Sequence, residues 1–177
     1  MKPREKKLPP PVRGARWIPL TRGKFALVDA RDFARVTQFR WSAHRTATIQ
    51  VGWRAIGYVN GCQVLLHRFL LNLQGSKPEV DHRDGNALNN RRSNLRLATR
   101  AQNGTNTRRV SRAGFKGVRY HKRAKLFQAY LATRRGFRSL GYFVEAADAA
   151  RAYDTAARRV YSPFACVNFP RRGEQGT

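Results

Sequence analysis

Residues 80–103, VDHRDGNALNNRRSNLRLATRAQN, gather acids, amides and a histidine within a very basic chain. Hydrolysis of a phosphodiester needs a base that deprotonates water, a cation that neutralises charge on the phosphoryl oxygens, and groups that hold both in place. Asp81 and His82 are neighbours, so on an extended strand their side chains point to opposite faces. One could hold a metal ion while the other faces a water molecule. The stretch therefore contains what metal-assisted hydrolysis requires.

The local pattern around this pair predicts two strands and a helix. Residues 79–82 can form a short strand, and the Asp, Gly and Asn residues between 84 and 90 are typical of turns. Residues 94–97 alternate polar and apolar as a second strand does, and Thr99 followed by Gln102 is typical of a helix start. The expected order is strand, long loop, strand, helix.

With this order in place, residues 80–106 resemble the HNH endonuclease family in its phage and intron homing form. The match rests on the Asp-His pair and on asparagines at the matching offsets. The resemblance implies that Asp81 binds a divalent metal, that His82 is the general base, that Asn94 pins the loop, and that Asn103 is the second metal ligand.

One position departs from many members of that family. They carry histidine where this chain has Asn103, although the homing branch also carries asparagine there. A carboxylate and an amide oxygen favour a hard cation, so one Mg²⁺ or Mn²⁺ per active site is expected, in a ββα-metal unit at about residues 78–108. The alternative is an Asx-rich loop whose Asp and His only cap turns; the two matching asparagines and the helix start argue against it.

A second histidine lies just upstream, in an apolar run over residues 64–71 that only His67 and Arg68 interrupt. A buried, hydrogen-bonded histidine is the usual explanation of such a residue. Because HNH relatives show a similar Leu-His-Arg sequence before the catalytic strand, a supporting role behind the site or on a phosphate is the alternative. Neither residue is predicted to be catalytic.

The charge of the chain indicates its class of partner. Its 177 residues include 36 Lys and Arg against 10 Asp and Glu, for a net charge of +26. Such a chain repels itself and binds a polyanion. No apolar run reaches transmembrane length and no signal peptide is recognisable, so a soluble, cytoplasmic protein of a bacterial or phage-infected cell is expected, with no membrane or small-molecule partner.

The two cysteines, Cys62 and Cys166, have no metal-ligand spacing. Free, partly buried thiols are the expected state, and a disulfide is the alternative.

The region before the Asp-His pair predicts an arm and a small cap. Residues 1–16 combine basic residues with a triple proline and predict a disordered arm, which either follows a phosphate backbone or only aids solubility. Strand formers then predict a small α+β cap, within a nuclease domain over residues 17–106. The expected cap elements are a strand pair over 18–29, a helical turn over 32–36 and strands at 38–41 and 49–56. The tryptophans Trp17, Trp41 and Trp53 are expected in its core rather than as base-stacking platforms.

A basic linker over residues 107–113 is expected to separate this domain from a second unit over residues 114–170, with a tail at 171–177. Three short strands, at 115–120, 126–133 and 137–143, are predicted to precede one helix over 144–160. Acids near the start of that helix and arginines near its end suit the helix dipole. A face of small residues is expected to pack on the sheet, through Ala146, Ala149, Ala150, Tyr153, Ala157 and Val160.

This second unit resembles the AP-two/ERF DNA-binding domain. The resemblance rests on the sequences KGVR at 116–119, LGYF at 140–143, AARAYD at 149–154 and NFP at 168–170. It implies a three-stranded antiparallel sheet, packed on one helix, that enters the major groove of duplex DNA. By position, DNA contact is assigned to Arg119, Lys122, Arg123, Lys125, Arg135 and Arg138. The plant pattern has tryptophan where Phe127 stands and charged residues where Tyr130 and Ala132 stand, so its sequence preference does not carry over.

Together these features predict an α+β protein that hydrolyses a phosphodiester of double-stranded DNA, with the homing type implied by resemblance. A single active site cuts one strand, so a monomer should nick; the sequence leaves a double-strand break by a dimer open. Two other classes remain. One is a DNA-binding regulator with a relic HNH unit, and the other is an RNA-binding protein, since charge does not distinguish polyanions.

Overall fold

A computed structural model describes residues 8–45, 52–107, 110–133 and 136–176. The chain is a mixed α+β protein of several small sheets and few helices, which is the predicted class. Its contacts divide it into two units, one ending at Thr99 and the other beginning at Arg100. The helix after the hairpin is therefore grouped with the second unit, and the linker over residues 107–113 stays a prediction from the sequence.

In the first unit, antiparallel hairpins form where short alternating segments are separated by turn residues. The strands pair as β1 with β2, as the three-stranded sheet β3-β4-β5, and as β6 with β7. The elements are β1 (Ala15–Pro19), β2 (Phe25–Asp29), α1 (Phe33–Val36), β3 (Trp41–Arg45), β4 (Trp53–Val59), β5 (Cys62–Leu65), α2 (Leu66–Leu70), β6 (Glu79–His82) and β7 (Leu95–Ala98).

The predicted strand pair over 18–29 and the helical turn over 32–36 are confirmed. The strand predicted at 38–41 begins only at Trp41, and residues 49–51 of the next predicted strand lie outside the described residues.

The core of the first unit lies between β1, β2, the three-stranded sheet and α2, where the apolar faces of these short elements cover one another. Leu66 and Leu70 of α2 are fully buried, and Trp41 is 4% exposed. Trp53 is partly buried against this core, as predicted. Trp17 is half-buried and donates its indole N–H to the carbonyl of Pro10 at 2.8 Å, so it lies at the edge of the core.

The second unit consists of a short helix, a three-stranded antiparallel sheet of order β10-β9-β8, a long helix and a small parallel strand pair. The elements are α3 (Arg100–Thr105), β8 (Val118–His121), β9 (Leu126–Thr133), β10 (Gly136–Phe143), α4 (Ala146–Tyr161), β11 (Cys166–Val167) and β12 (Gln175–Gly176). The sequence predicted the three strands and the long helix to within about three residues at each end.

Helix α4 packs on the sheet through small residues, because alanine lets a helix approach a sheet closely. Ala149, Ala150 and Ala157 are fully buried, with Val118 and Leu131 of the sheet against them. The prediction for Val160 was wrong, since this side chain is 52% exposed. The helical period carries the packing face away from the sheet in the last turn.

Cys62 and Cys166 are free thiols, as predicted, although Cys62 is exposed and only Cys166 is buried. Within the described ranges, no helix is long and apolar enough to cross a membrane.

Candidate active site in the first unit

The hairpin of β6 and β7 holds the Asp-His pair. Asp81 lies opposite Arg96 and His82 lies opposite Leu95. Residues directly opposite in an antiparallel pair share a face, so the Arg96 guanidinium contacts the Asp81 carboxylate. Arg96 Nε donates to Asp81 Oδ2 at 2.7 Å, and Nη2 lies 2.5 Å from the same oxygen. Both side chains are over 90% buried, so the site contains a buried ion pair.

His82 is 8% exposed, and its Nε2 lies 3.4 Å from the side-chain oxygen of Asn90. A hydrogen bond to this acceptor requires the proton on Nε2, which makes Nδ1 the basic nitrogen. Burial lowers the pKa of His82 below its ordinary value, and the hydrogen bond to Asn90 and the nearby carboxylates of Asp84 and Asp81 oppose this shift. His82 is therefore neutral at neutral pH and can accept a proton.

Asn94 ties the loop between the two strands together. Its side-chain oxygen accepts from the N–H of Asp84 at 3.0 Å, and its Nδ2 donates to the Asp84 carboxylate at 2.9 Å and to the carbonyl of Asn89 at 2.7 Å. The Asp84 carboxylate also accepts from Asn86 N–H and Asn89 Nδ2. The turn residues that the sequence identified thus form one amide and carboxylate network around the buried Asn94.

Strand β2 of the β1-β2 hairpin forms backbone hydrogen bonds with this loop. The N–H of Leu27 donates to the carbonyl of Leu88 at 2.8 Å, and the N–H of Asn90 donates to the carbonyl of Leu27 at 2.7 Å. The loop therefore adds a short parallel bridge to β2. Because Asn90 is the partner of His82, β2 contributes to the position of the histidine.

Two ion pairs fix the end of the same loop to the segment after β2. Arg91 Nε lies 3.0 Å from Asp29, and Arg92 binds the Asp32 carboxylate with two hydrogen bonds of 2.8 and 2.9 Å. The hydrogen bonds from Arg92 lower the pKa of Asp32 below its ordinary value, against the effect of burial. Ion pairs and backbone hydrogen bonds thus both connect the predicted cap to the loop.

His67 lies behind His82. Their rings meet edge to face, with centroids 5.2 Å apart. Burial, and then the proximity of His82, lower the pKa of His67 to about 3, so it is neutral. This contact is consistent with the supporting role that the sequence left open for His67.

Arg68 has a different position. It is 8% exposed, and its guanidinium donates to the carbonyls of Pro78, Gln74 and Lys77 at 2.7, 2.9 and 3.3 Å. These bonds fold the segment that enters β6. A phosphate contact, the other role suggested for Arg68, finds no support in this geometry.

The last motif residue, Asn103, lies in α3 and so in the second unit, whereas Asp81 lies in the first. In the described part of the chain, no group of three or more His, Cys, Asp or Glu side chains could hold a metal ion. A carboxylate and an amide oxygen each suit Mg²⁺ or Mn²⁺ by their chemistry, and the Asp81 carboxylate is paired with Arg96 in this structure.

The basic residues assigned to DNA contact do not all share one face of the second unit's sheet. Arg119 pairs with Gln128, and Arg138 pairs with Leu131, which packs against α4. Since side chains alternate along a strand, Arg119 lies on the face turned away from α4 and Arg138 on the helix side. Lys122, Arg123 and Lys125 are exposed in the turn between β8 and β9, and Arg135 lies outside the described residues.

Arg119 is held on the face turned away from α4. Its Nε donates to Gln128 Oε1 at 2.9 Å, and Gln128 Nε2 donates to Ser139 Oγ at the same distance. The guanidinium also lies 5.4 Å from the centroid of the Tyr130 ring. The exposed Arg119 side chain is therefore oriented by a hydrogen bond and a ring contact.

The chain is similar to known proteins in the region of the hairpin. Residues 74–105, which include the whole hairpin, match the model of the HNH endonuclease family. An uncharacterized HNH endonuclease of Acanthamoeba polyphaga mimivirus is 36% identical over 103 residues, covering 55% of this chain and 50% of the relative. The chain thus spans about half the length of that relative. No solved structure matches. The hairpin region thus resembles the HNH endonuclease family over residues 74–105.

Two residues of the site did not emerge from sequence reasoning. From the sequence, Asn90 is recognisable only as a turn residue, and Arg96 only as part of a strand. Arg96 could have been found by aligning the two predicted strands as a hairpin, because that register sets it opposite Asp81. For Asn90 we find no such signal, since its contact with His82 depends on how the loop folds back.

Proposed function

We propose that this chain is a site-directed DNA endonuclease of the HNH homing type, which nicks duplex DNA. The observation that carries the proposal is the buried, neutral His82 beside Asp81 in a hairpin that matches the HNH family. A neutral imidazole in a dry site can take a proton, and a carboxylate beside it can hold a cation.

In this proposal His82 removes a proton from the attacking water. The water oxygen then bonds to phosphorus, the bond from phosphorus to the 3′ oxygen breaks, and that oxygen takes a proton from solvent water. The resemblance gives products with 5′ phosphate and 3′ hydroxyl ends. Asp81 and Asn103 would hold one Mg²⁺ or Mn²⁺, which supplies neutralisation of the phosphoryl charge when bound. Asn90 and His67 orient the His82 ring, and Asn94 keeps the loop closed around it.

The second unit is proposed as the part that grips DNA, in the manner of an AP-two/ERF domain. The three-stranded sheet on one helix, the oriented Arg119 and the basic turn with Lys122, Arg123 and Lys125 support this. The proposed partner is double-stranded DNA bound by a monomer in the cytoplasm.

A plasmid nicking assay tests the proposal, with Mg²⁺, with EDTA, and with His82→Ala. Loss of a general base should slow nicking by roughly 10²–10⁴-fold, while the affinity measured by gel shift on the same DNA stays unchanged. His44→Ala is the matched control, because His44 is exposed on β3. Nicking that persists in EDTA or in His82→Ala would count against the assignment.

A DNA-binding regulator with a relic HNH unit is the second candidate. It is favoured by one observation, the Arg96 guanidinium that already pairs with the Asp81 carboxylate. This candidate predicts tight binding to DNA without cutting under any metal condition, so the same assay separates the two.

A further inference from the structure

Helix α3, which carries Asn103, is too short to be stable through its internal hydrogen bonds alone. It is six residues long, includes Gly104, and buries none of its side chains. Helices this short are unstable in isolation, since nucleation is costly and few hydrogen bonds follow. Hydrogen bonds from the rest of the second unit therefore add to the stability of this helix.

Lys116 makes two such hydrogen bonds. Its ammonium donates to the carbonyl of Thr105 at 2.7 Å and to that of Thr107 at 2.6 Å. These carbonyls lie at and just beyond the C-terminus of α3, where backbone acceptors have no partner within the helix and the dipole favours a cation. Lys116 therefore caps the helix, and the Thr105 hydroxyl adds a bond to the carbonyl of Phe164 at 3.1 Å.

The main chain of Lys116 is itself anchored to the sheet-and-helix part of the second unit. Its N–H donates to Asn168 Oδ1 at 2.7 Å, and its carbonyl accepts from Asn168 Nδ2 at 3.1 Å. Asn168 also donates to the carboxylate of Asp154, which is 1% exposed on α4. An unbroken chain of hydrogen bonds thus runs from α4 through Asn168 and Lys116 to the end of α3.

We propose that Lys116 is a positioning residue for the nuclease reaction, because it seats α3 and through it the metal ligand Asn103. The inference rests on the proposed function, which assigns that role to Asn103. It implies that the second unit is more than a DNA-binding attachment, since the last residue of the nuclease motif is held by this unit's own hydrogen bonds.

The test compares three full-length variants. Lys116→Met keeps the length and most of the volume of the side chain but removes the donors. Lys116→Arg keeps donors, and a cavity of about 780 Å³ that Lys116 lines leaves room for the larger group. Arg172→Met removes one charge from an exposed position in the same unit and is the matched control.

The first readout is independent of activity. Amide hydrogen exchange at residues 104–106 should speed up by about tenfold or more in Lys116→Met, since each bond to a charged donor contributes measurably to local stability. It should stay near the wild-type rate in Lys116→Arg and Arg172→Met. Unchanged exchange in Lys116→Met would overturn the proposed cap.

The second readout separates positioning from general folding. Half-maximal nicking by Lys116→Met should require about tenfold more Mn²⁺ than wild type, with the rate recovering at saturating Mn²⁺ and with unchanged DNA affinity by gel shift. Adding Lys116→Met to Asn103→Ala should cause no further loss. A further loss, or a parallel fall in DNA affinity, would show that Lys116 acts elsewhere. If wild type fails to nick, the proposed function fails, while the exchange data still decide whether Lys116 holds the helix.

Discussion

At the scale of single residues, the ion pair of Asp81 and Arg96 is the contact with the sharpest energetic consequence. Both groups are buried, so neither can regain water if its partner is lost. Arg96→Met should therefore lower the free energy of unfolding by roughly 3–5 kcal/mol, whereas the double variant Asp81→Leu/Arg96→Met should recover most of that loss. Urea unfolding followed by tryptophan fluorescence measures this in the first unit alone.

Fluorescence is specific here because Trp17, Trp41 and Trp53 all precede residue 99 and the second unit has no tryptophan. Additive losses in the double variant would mean that the two side chains stabilise the hairpin independently.

The candidate site also shows which residues a sequence can reveal. Asp81, His82, Asn94 and Asn103 stand at recognisable spacing, because chemistry restricts their types and the chain restricts their order. Asn90 is a supporting residue, and many residue types could support a histidine from a folded loop. Its role depends on a long-range bridge to β2, which local pattern does not encode.

At the scale of elements, the close approach of β8 to α4 depends on Gly117. Its φ is +71°, and a Cβ there would lie 2.0 Å from Cδ2 of Tyr153. Gly114 also has a positive φ, of +79°, but has nothing within 4 Å of a Cβ. Gly114→Ala should cost about 1 kcal/mol of backbone strain, and Gly117→Ala about 3 kcal/mol or more because overpacking is added.

Thermal unfolding followed by helical circular dichroism measures both glycine variants, since α4 is the longest helix described. Equal effects of the two substitutions would mean that the ring of Tyr153 moves aside without cost.

The attachment of the loop between β6 and β7 to the cap predicts that the stability of the first unit depends on pH. Arg92 lowers the pKa of Asp32, so the folded protein keeps this carboxylate charged at a pH where the unfolded chain protonates it. The stabilisation is present above the ordinary pKa near 3.8 and is lost as the pH falls below it. Arg92→Met should therefore destabilise the first unit more at pH 7 than at pH 3.

Urea unfolding by tryptophan fluorescence at both pH values measures the effect of Arg92→Met. Arg16→Met is the control, because Arg16 is exposed on β1 and its effect should not change with pH. A loss of stability in Arg92→Met that is the same at pH 3 and pH 7 would contradict the assigned role of Asp32.

The sequence predicts an element well where a hydrophobic period extends over many residues, and less well where the segment is short or ends. The long helix and the three strands of the second unit emerged from alternation and small-residue spacing. Val160 was assigned to the packing face because the helical period alone does not show where the sheet ends beneath the helix. The contacts of Lys116 with the end of α3 are a further feature that local pattern does not encode, since they span a segment with the composition of a polar linker.

At the scale of the whole molecule, the net charge of +26 predicts that the proposed binding to DNA depends strongly on salt. Each phosphate contact releases counterions, so the logarithm of the binding constant should fall with the logarithm of salt concentration by about 0.9 per contact. The charge alone does not say which residues make the contacts. The turn between β8 and β9, with three exposed cations, is the part of the second unit that most resembles a contact surface.

Replacing Lys122, Arg123 and Lys125 together by Gln should reduce the salt slope by about 2–3, because three phosphate contacts are lost. The matched control replaces Arg159, Arg171 and Arg172, which are exposed and have no assigned role in binding. Both variants lower the net charge by the same amount, so any difference in slope reports contact rather than overall charge. Gel shifts of duplex DNA between 50 and 200 mM salt, about the range in which such slopes are steep, measure it. Equal slopes for the two variants would mean that the chain attracts DNA through its total charge and that the turn makes no direct contact.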